Sequence, residues 1–487
     1  MELGKMFLNG LFHPNQSKLM RLLTIGWMIG LLFIGWMRWD SFFYSGDFSL
    51  DFQDWAEVTG PRYAMLQDAA ISGEFPLHGA DTTAMRGITD RYLAIADVPS
   101  SPQFYLLKYL SIPIFIYVDT LLFYLIGFCG LLLFKKRYKL SLIAFTVLFL
   151  LFNFNGFIVS HLAIGHANWV AYFLLPYFLY LIFGLIEEER VGWKWILGLS
   201  LTLFVMLLQG GFHFYVWCLI FLGAIALFFP KLWKPVLLGG FFSGMTSLFR
   251  LLPPESILSS YKLEFFNGIP SLSDLVASLV LIRDPQNSLD LRNALNQLGY
   301  WELNFYIGLA GALFVIIFGV IVSIQAAKNS EKSPFLKLLF PALFLTILSL
   351  GDIFTLFQKL IPFPLFSGER VTSRMFIIPL LVLILIAVIQ FQKFINSRKL
   401  EWHWHLASFL SVYLIYSELK QHLTLWRIRR LDGFVEIFPK VAFDPANHVL
   451  ANHADPSYIN LVIIGAIVTV LAFGFLIVMC VKRKEPL

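Results

Sequence analysis

Apolar runs of roughly 20 residues, parted by short polar joints, make up most of this chain. They centre on residues 22–37, 112–134, 140–157, 168–186, 193–209, 212–229, 235–250, 303–325, 338–350, 374–392, 405–417 and 459–481. A helix that is apolar on all sides belongs in lipid or deep in a large core. The pattern predicts an all-α polytopic membrane protein with about 12 transmembrane helices. The longest polar interruption, residues 46–105, follows the first run directly. Within it Thr59 reads as a helix cap, Pro61 as a first-turn residue and Gly73 as a stop. A short helix over 61–72 is expected, with Met65, Leu66, Ala69 and Ala70 on its packed side, so this loop is a folded element.

Composition narrows the class. The 487 residues are 58% hydrophobic and only 14% charged, against ~25% charged in soluble proteins. The basic balance of +6 does not point to nucleic acid, because the Lys and Arg sit in short clusters between runs. Examples are Lys135 with Lys136 and Arg137, Lys231 with Lys234, and Lys482 with Arg483 and Lys484. That is the positive-inside distribution. With an even number of spans it predicts both termini in the cytoplasm and residues 38–104 outside. This outer segment carries ten acids against four bases. Cys129, Cys218 and Cys480 all fall in apolar runs and suggest neither a disulfide framework nor a zinc site. No Walker loop, dinucleotide glycine pattern or HExxH string is present.

Candidate chemistry gathers in the outward segments. Asp47, Asp51 and Asp54 share one face of a helix. On an extended segment Asp47 and Asp51 share a side and Asp54 turns away. Clustered carboxylates raise one pKa or recruit a cation. The group therefore suits a general base, with Asp47 first and Asp51 second, or a divalent cation held between those two. It reads equally as a solvated acidic loop. Arg86 and Arg91 are suited to gripping phosphate, or to pairing with Asp81 and Asp90. His161, His166 and His213 stand at span ends, where ionisable groups are functional candidates. His161 and His166, at i and i+5, are not a helical metal pair, and no metal site is expected there. Arg370 and Arg374, at i and i+4, share a helix face. They are candidates for holding a lipid phosphate or for pairing with Glu369. The segment 418–458 carries Arg427, Arg429 and Arg430, and 273–281 is amphipathic enough to lie on a membrane surface.

One span, a large outward loop with an early acidic cluster, then many spans: this order resembles the GT-C class of integral-membrane glycosyltransferases. The finer resemblance is to the bacterial YfhO-like branch. It is carried by Gly46 with Asp47, by the string SGEFPL from Ser72, by Gly210, Gly211, Phe212 and His213, by Leu350 with Gly351, by Pro362, Phe363 and Pro364, and by Arg370 with Arg374. It spans residues 22–395, with His78 and Gly79 in place of the branch's tryptophan and asparagine. The resemblance implies a core over residues 1–395, including outer loop 38–104, followed by C-terminal helices over 396–487 with outer segment 418–458. It implies a plasma-membrane enzyme moving a sugar from a polyprenyl-phosphate donor to an envelope polymer or glycoprotein acceptor. Asp47 or Asp51 would be the base, with Asp54, Arg91, His166, His213, Arg370 and Arg374 around the substrates. A transporter or lipid flippase, and a catalytically silent subunit of a larger complex, are the competing readings.

Overall fold

The computed structural model describes residues 11–12, 18–188, 191–260, 268–287, 299–328, 334–360, 369, 371–397 and 402–482. Helices dominate. Among the described residues β-pairing is limited to three isolated bridges, Phe52 with Lys440, His78 with Arg91, and Gly79 with Leu450.

Among the described residues seven helices are long and apolar enough to cross a membrane: Lys18–Gly46, Ile112–Arg137, Leu142–Ala163, Ala167–Glu188, Tyr300–Ala326, Thr372–Ser397 and Pro456–Lys482. Pro230–Thr246 and Leu248–Ile257 meet at a bend of 63° and make an eighth if taken as one broken span. Trp193–Leu208, Phe212–Phe228 and Pro334–Leu348 are apolar but shorter. The helical multi-pass class therefore holds, while the count of about 12 full spans does not emerge. The run at 405–417 lies in a 24-residue helix, Trp402–Leu425. His403, His405, Glu418 and Lys420 make it too polar to count among the spans.

Burial orders the bundle. The apolar stretch of Leu142–Ala163 is wholly enclosed, that of Thr372–Ser397 is 94% enclosed, and the first and last spans are only 17% and 28% enclosed. The first two form the axis, and the last two present apolar faces to lipid. The Leu142–Ala163 span is interrupted at Asn155. The Asn155 amide donates to the Leu151 and Phe152 carbonyls and to Tyr172, and its oxygen accepts from the Ile158 amide. Backbone groups freed inside a membrane are thus satisfied by protein.

The polar segment after the first span forms a folded cap. Its helix runs Gly60–Ser72, with Pro61 in the first turn and Gly73 at φ 75° closing it. Met65, Leu66, Ala69 and Ala70 are buried as expected. Thr59 does not cap this helix; its hydroxyl donates to the Gly165 carbonyl and ties the cap to the bundle. Residues 440–455 fold back over the cap as a strap. The Val441 amide donates to the Asp51 carbonyl at 2.6 Å and the Ala451 amide to the His78 carbonyl at 2.9 Å. The first span ends at this cap and the last begins there, so the Lys18 end of the first and the Lys482 end of the last point away from it.

Three histidines clasp the strap. His448 bonds Asp81 at 2.7 Å, His453 bonds Asp90 at 2.7 Å, and His78 lies 3.4 Å from Asp455, which Arg91 also holds. The His78 and His453 rings stack with centroids 4.0 Å apart. The hydrogen bond to Asp90 raises the His453 pKa, whereas burial foremost lowers that of His78. His453 therefore supports the clasp at low pH and loses that support as pH rises through its folded pKa. His78 opposes the clasp as pH falls below the ordinary value of ~6.5, because charging this buried ring is costly and the cation beside it adds repulsion. Amide exchange at 448–453, corrected for intrinsic rates, is expected to be slowest near neutrality and faster on both sides. A rate that changes monotonically from pH 5 to 9, roughly the range over which these rings titrate, would refute this balance.

Candidate functional site

Where the cap meets the bundle, a cavity of about 240 Å³ opens among polar side chains. Gly165 makes the junction. Its φ is 110°, and a Cβ there would lie 2.3 Å from the Trp55 nitrogen, so only glycine allows the approach. Trp55 reinforces it by donating from Nε1 to the Ala163 carbonyl at 2.9 Å. This docking brings Asp54 of the cap to His166 of the bundle.

Asp54 Oδ2 and His166 Nε2 are 2.6 Å apart, and His166 Nδ1 lies 2.8 Å from His161 Nδ1. With Asp54 ionised and both rings neutral, His166 donates to Asp54 and His161 donates to His166. The helix ends at Ala163 and the turn through Gly165 folds His166 back, so the two histidines meet by way of the turn. Among the described residues no group of three or more His, Cys, Asp or Glu is placed to hold a metal ion. Asp54 Oδ1 has no hydrogen-bond partner among the described residues, and about a third of the side chain is exposed. Burial pushes the Asp54 pKa up. The hydrogen bond from His166 and the charges of Arg86 and Arg374 outweigh it and hold the carboxyl below its ordinary range.

The walls are ion-paired. Arg62, itself buried, donates to Asp97 Oδ1 at 3.0 Å and to the Ala84 carbonyl at 3.0 Å, and Arg86 takes the other Asp97 oxygen. Asn168 donates to the carbonyls of Asp97 and Gly210 at 3.2 and 2.9 Å. On the bundle side Arg374 grips Glu302 with both ends of its fork. Its guanidinium stands 5.0 Å from the Trp169 ring centre, and His161 stacks on the same ring at 3.8 Å. His213 and Trp217 both bond buried Glu369, at 2.8 and 2.9 Å.

Four residues expected around a substrate, Asp54, His166, His213 and Arg374, do line one cavity. Asp47 and Asp51 do not. The backbone from 47 to 51 is not helical, so the three aspartates share no face. Asp47 is 82% exposed and 3.4 Å from Arg429. Asp51 pairs with Lys440 of the strap at 2.8 Å. Basic groups thus stand where a cation shared by these two aspartates was considered. Arg91 closes the cap on Asp455 and lies outside the lining. Arg374 pairs with Glu302 rather than Glu369, and Arg370 lies outside the described residues.

Sequence reasoning passed over Asp97, Glu302, Trp169 and the buried Arg62. Glu302 carried a signal, as an acid at the edge of an apolar run. Asp97 and Arg62 carried none, because each looks like an ordinary loop charge until folding pairs them. The chain matches no protein-family model, no curated protein and no solved structure.

Proposed function

We propose that this protein is a membrane glycosyltransferase that moves a sugar from a polyprenyl-phosphate donor to a cell-envelope acceptor, with Asp54 as the base. The observation that carries this reading is a carboxylate with one oxygen unbonded among the described residues, held by a histidine in a polar cavity where cap and bundle meet. Asp54 Oδ1 takes the proton of the acceptor hydroxyl. The acceptor oxygen bonds the anomeric carbon, the bond from that carbon to the phosphate oxygen breaks, and the lipid phosphate leaves. Arg86, partly exposed at the cavity, offsets the charge that develops on the leaving phosphate. Arg374 acts at longer range, since its fork is committed to Glu302. His166 keeps Asp54 oriented and ionised. The cap faces the cell exterior in this reading, and the termini are cytoplasmic.

A transporter reading draws on one feature, the 63° break between Pro230–Thr246 and Leu248–Ile257, since transporters use discontinuous helices. Here the break is spent on the cap: its arginine bonds cap carbonyls. A vesicle assay separates the two readings. Protein reconstituted with a polyprenyl-phosphate hexose labelled in the sugar is offered extracted envelope polymer. Label is expected in the polymer, with release of polyprenyl phosphate. Label crossing the bilayer with the donor intact would establish transport instead. Equal transfer from a nucleotide sugar without lipid would sink the donor assignment.

A further inference from the structure

Arg250 is wholly buried at the bend of the broken span. A guanidinium in such a place is costly unless its donors find partners; here both terminal nitrogens do, and Nε does not among the described residues. Its Nη2 donates to the carbonyls of Ile95, Ala96 and Val98 at 3.1, 3.2 and 3.2 Å, and its Nη1 to that of Leu93 at 3.3 Å. One planar fork thus spans the whole of cap loop 93–98. That loop bears Asp97, the anchor of both Arg62 and Arg86.

We infer that Arg250 is a positioning residue for the cavity: it sets the path of loop 93–98 and, through Asp97, where Arg62 and Arg86 stand. The use made of those arginines rests on the transferase reading; the placement does not.

The bend is built to deliver this side chain. A helix broken inside the bundle leaves amides without their usual carbonyls. The last span supplies a replacement, as the Phe249 amide donates to Thr469 Oγ1 at 3.0 Å. Gly465 of the same span lets the broken segment come close, for a Cβ there would lie 2.6 Å from the Leu248 carbonyl oxygen. A support therefore runs from the last span through the bend and Arg250 to the cavity wall. Lysine is a poor substitute, because a point charge on a flexible stem does not cover four diverging carbonyls as a fork does.

Hydrogen exchange of the full chain in lipid nanodiscs tests this, comparing wild type with Arg250→Lys and Thr469→Val. Thr469→Val leaves Arg250 in place and removes only the support behind it, so it reports even if the lysine variant fails to fold. Exchange at 93–98 is expected to quicken about tenfold for Arg250→Lys and less for Thr469→Val, with the enclosed spans unchanged. In the hexose-transfer assay, Arg250→Lys is expected to lower kcat more than it raises KM. The acid limb of the pH profile should also move upward, as Arg86 drifts from Asp54. Unchanged exchange at 93–98, or equal quickening throughout the chain, would overturn the inference. A wild type inactive with this donor sinks the transferase reading alone, and the exchange comparison still decides the role of Arg250.

Discussion

Asp54→Asn is expected to cut sugar transfer by about 10²–10⁴, or roughly 3–5 kcal/mol of barrier, while the protein still folds and docks its cap. The asparagine oxygen still accepts from His166 Nε2, so the geometry at 2.6 Å survives and only the charge and basicity go. Asp47→Asn serves as the contrast. Its carboxylate is exposed and outside the cavity, so wild-type turnover within about twofold and a stability change within about 0.5 kcal/mol are expected. Because the Asp54 pKa is depressed, the wild-type rate should persist on acidification until the pH drops below the ordinary carboxylate range. Initial rates of the two variants in the same vesicles decide the matter. Full activity in Asp54→Asn with loss in Asp47→Asn would return the base to the start of the cap.

Asp97→Asn is expected to destabilise the fold by about 3–5 kcal/mol, the usual cost of removing one partner from a buried ion pair. Asp97 holds Arg62, which is 3% exposed and has no second carboxylate bonded to it among the described residues, as well as Arg86. Burial alone would raise the Asp97 pKa. The charges of Arg62 and Arg86 outweigh burial and depress it strongly. The sign of the pH effect follows: its stabilisation is complete above the unfolded aspartate value of ~3.9 and fades as pH falls below it. Heat-inactivation midpoints of the detergent-solubilised variants measure the loss. Replacing both partners by apolar residues, Arg62→Met with Asp97→Leu, should recover part of it, because no charge is then left buried alone. A shift for Asp97→Asn indistinguishable from that of a surface substitution would show that the pair does not bear this load.

The short helix expected over 61–72 and its stop at Gly73 were readable beforehand because first-turn proline and stop chemistry is local. So was the membrane class, since hydropathy is a property of each run. Span counting was weaker. A break such as that at Ser247, or a polar helix such as Trp402–Leu425, depends on what neighbouring helices supply to freed or polar groups. Thr59 shows the same limit within one residue: its hydroxyl had a local role open to it as a cap, and a distant carbonyl took it instead.

By itself the sequence determined a helical membrane protein with one acidic, folded insert and candidate residues spread from Asp47 to Arg374. Period and polarity act over a few residues and survive any tertiary arrangement. Only the tertiary structure decided which candidates meet. Asp54 rather than Asp47 reaches the cavity because Gly165 admits Trp55 and the backbone from 47 to 51 is not helical. Arg374 is drawn to Glu302, and Arg62 and Arg86 to Asp97, because buried charges need partners. Those partners lie 11 to 72 positions away along the chain, and at such separations local pattern carries no information about pairing.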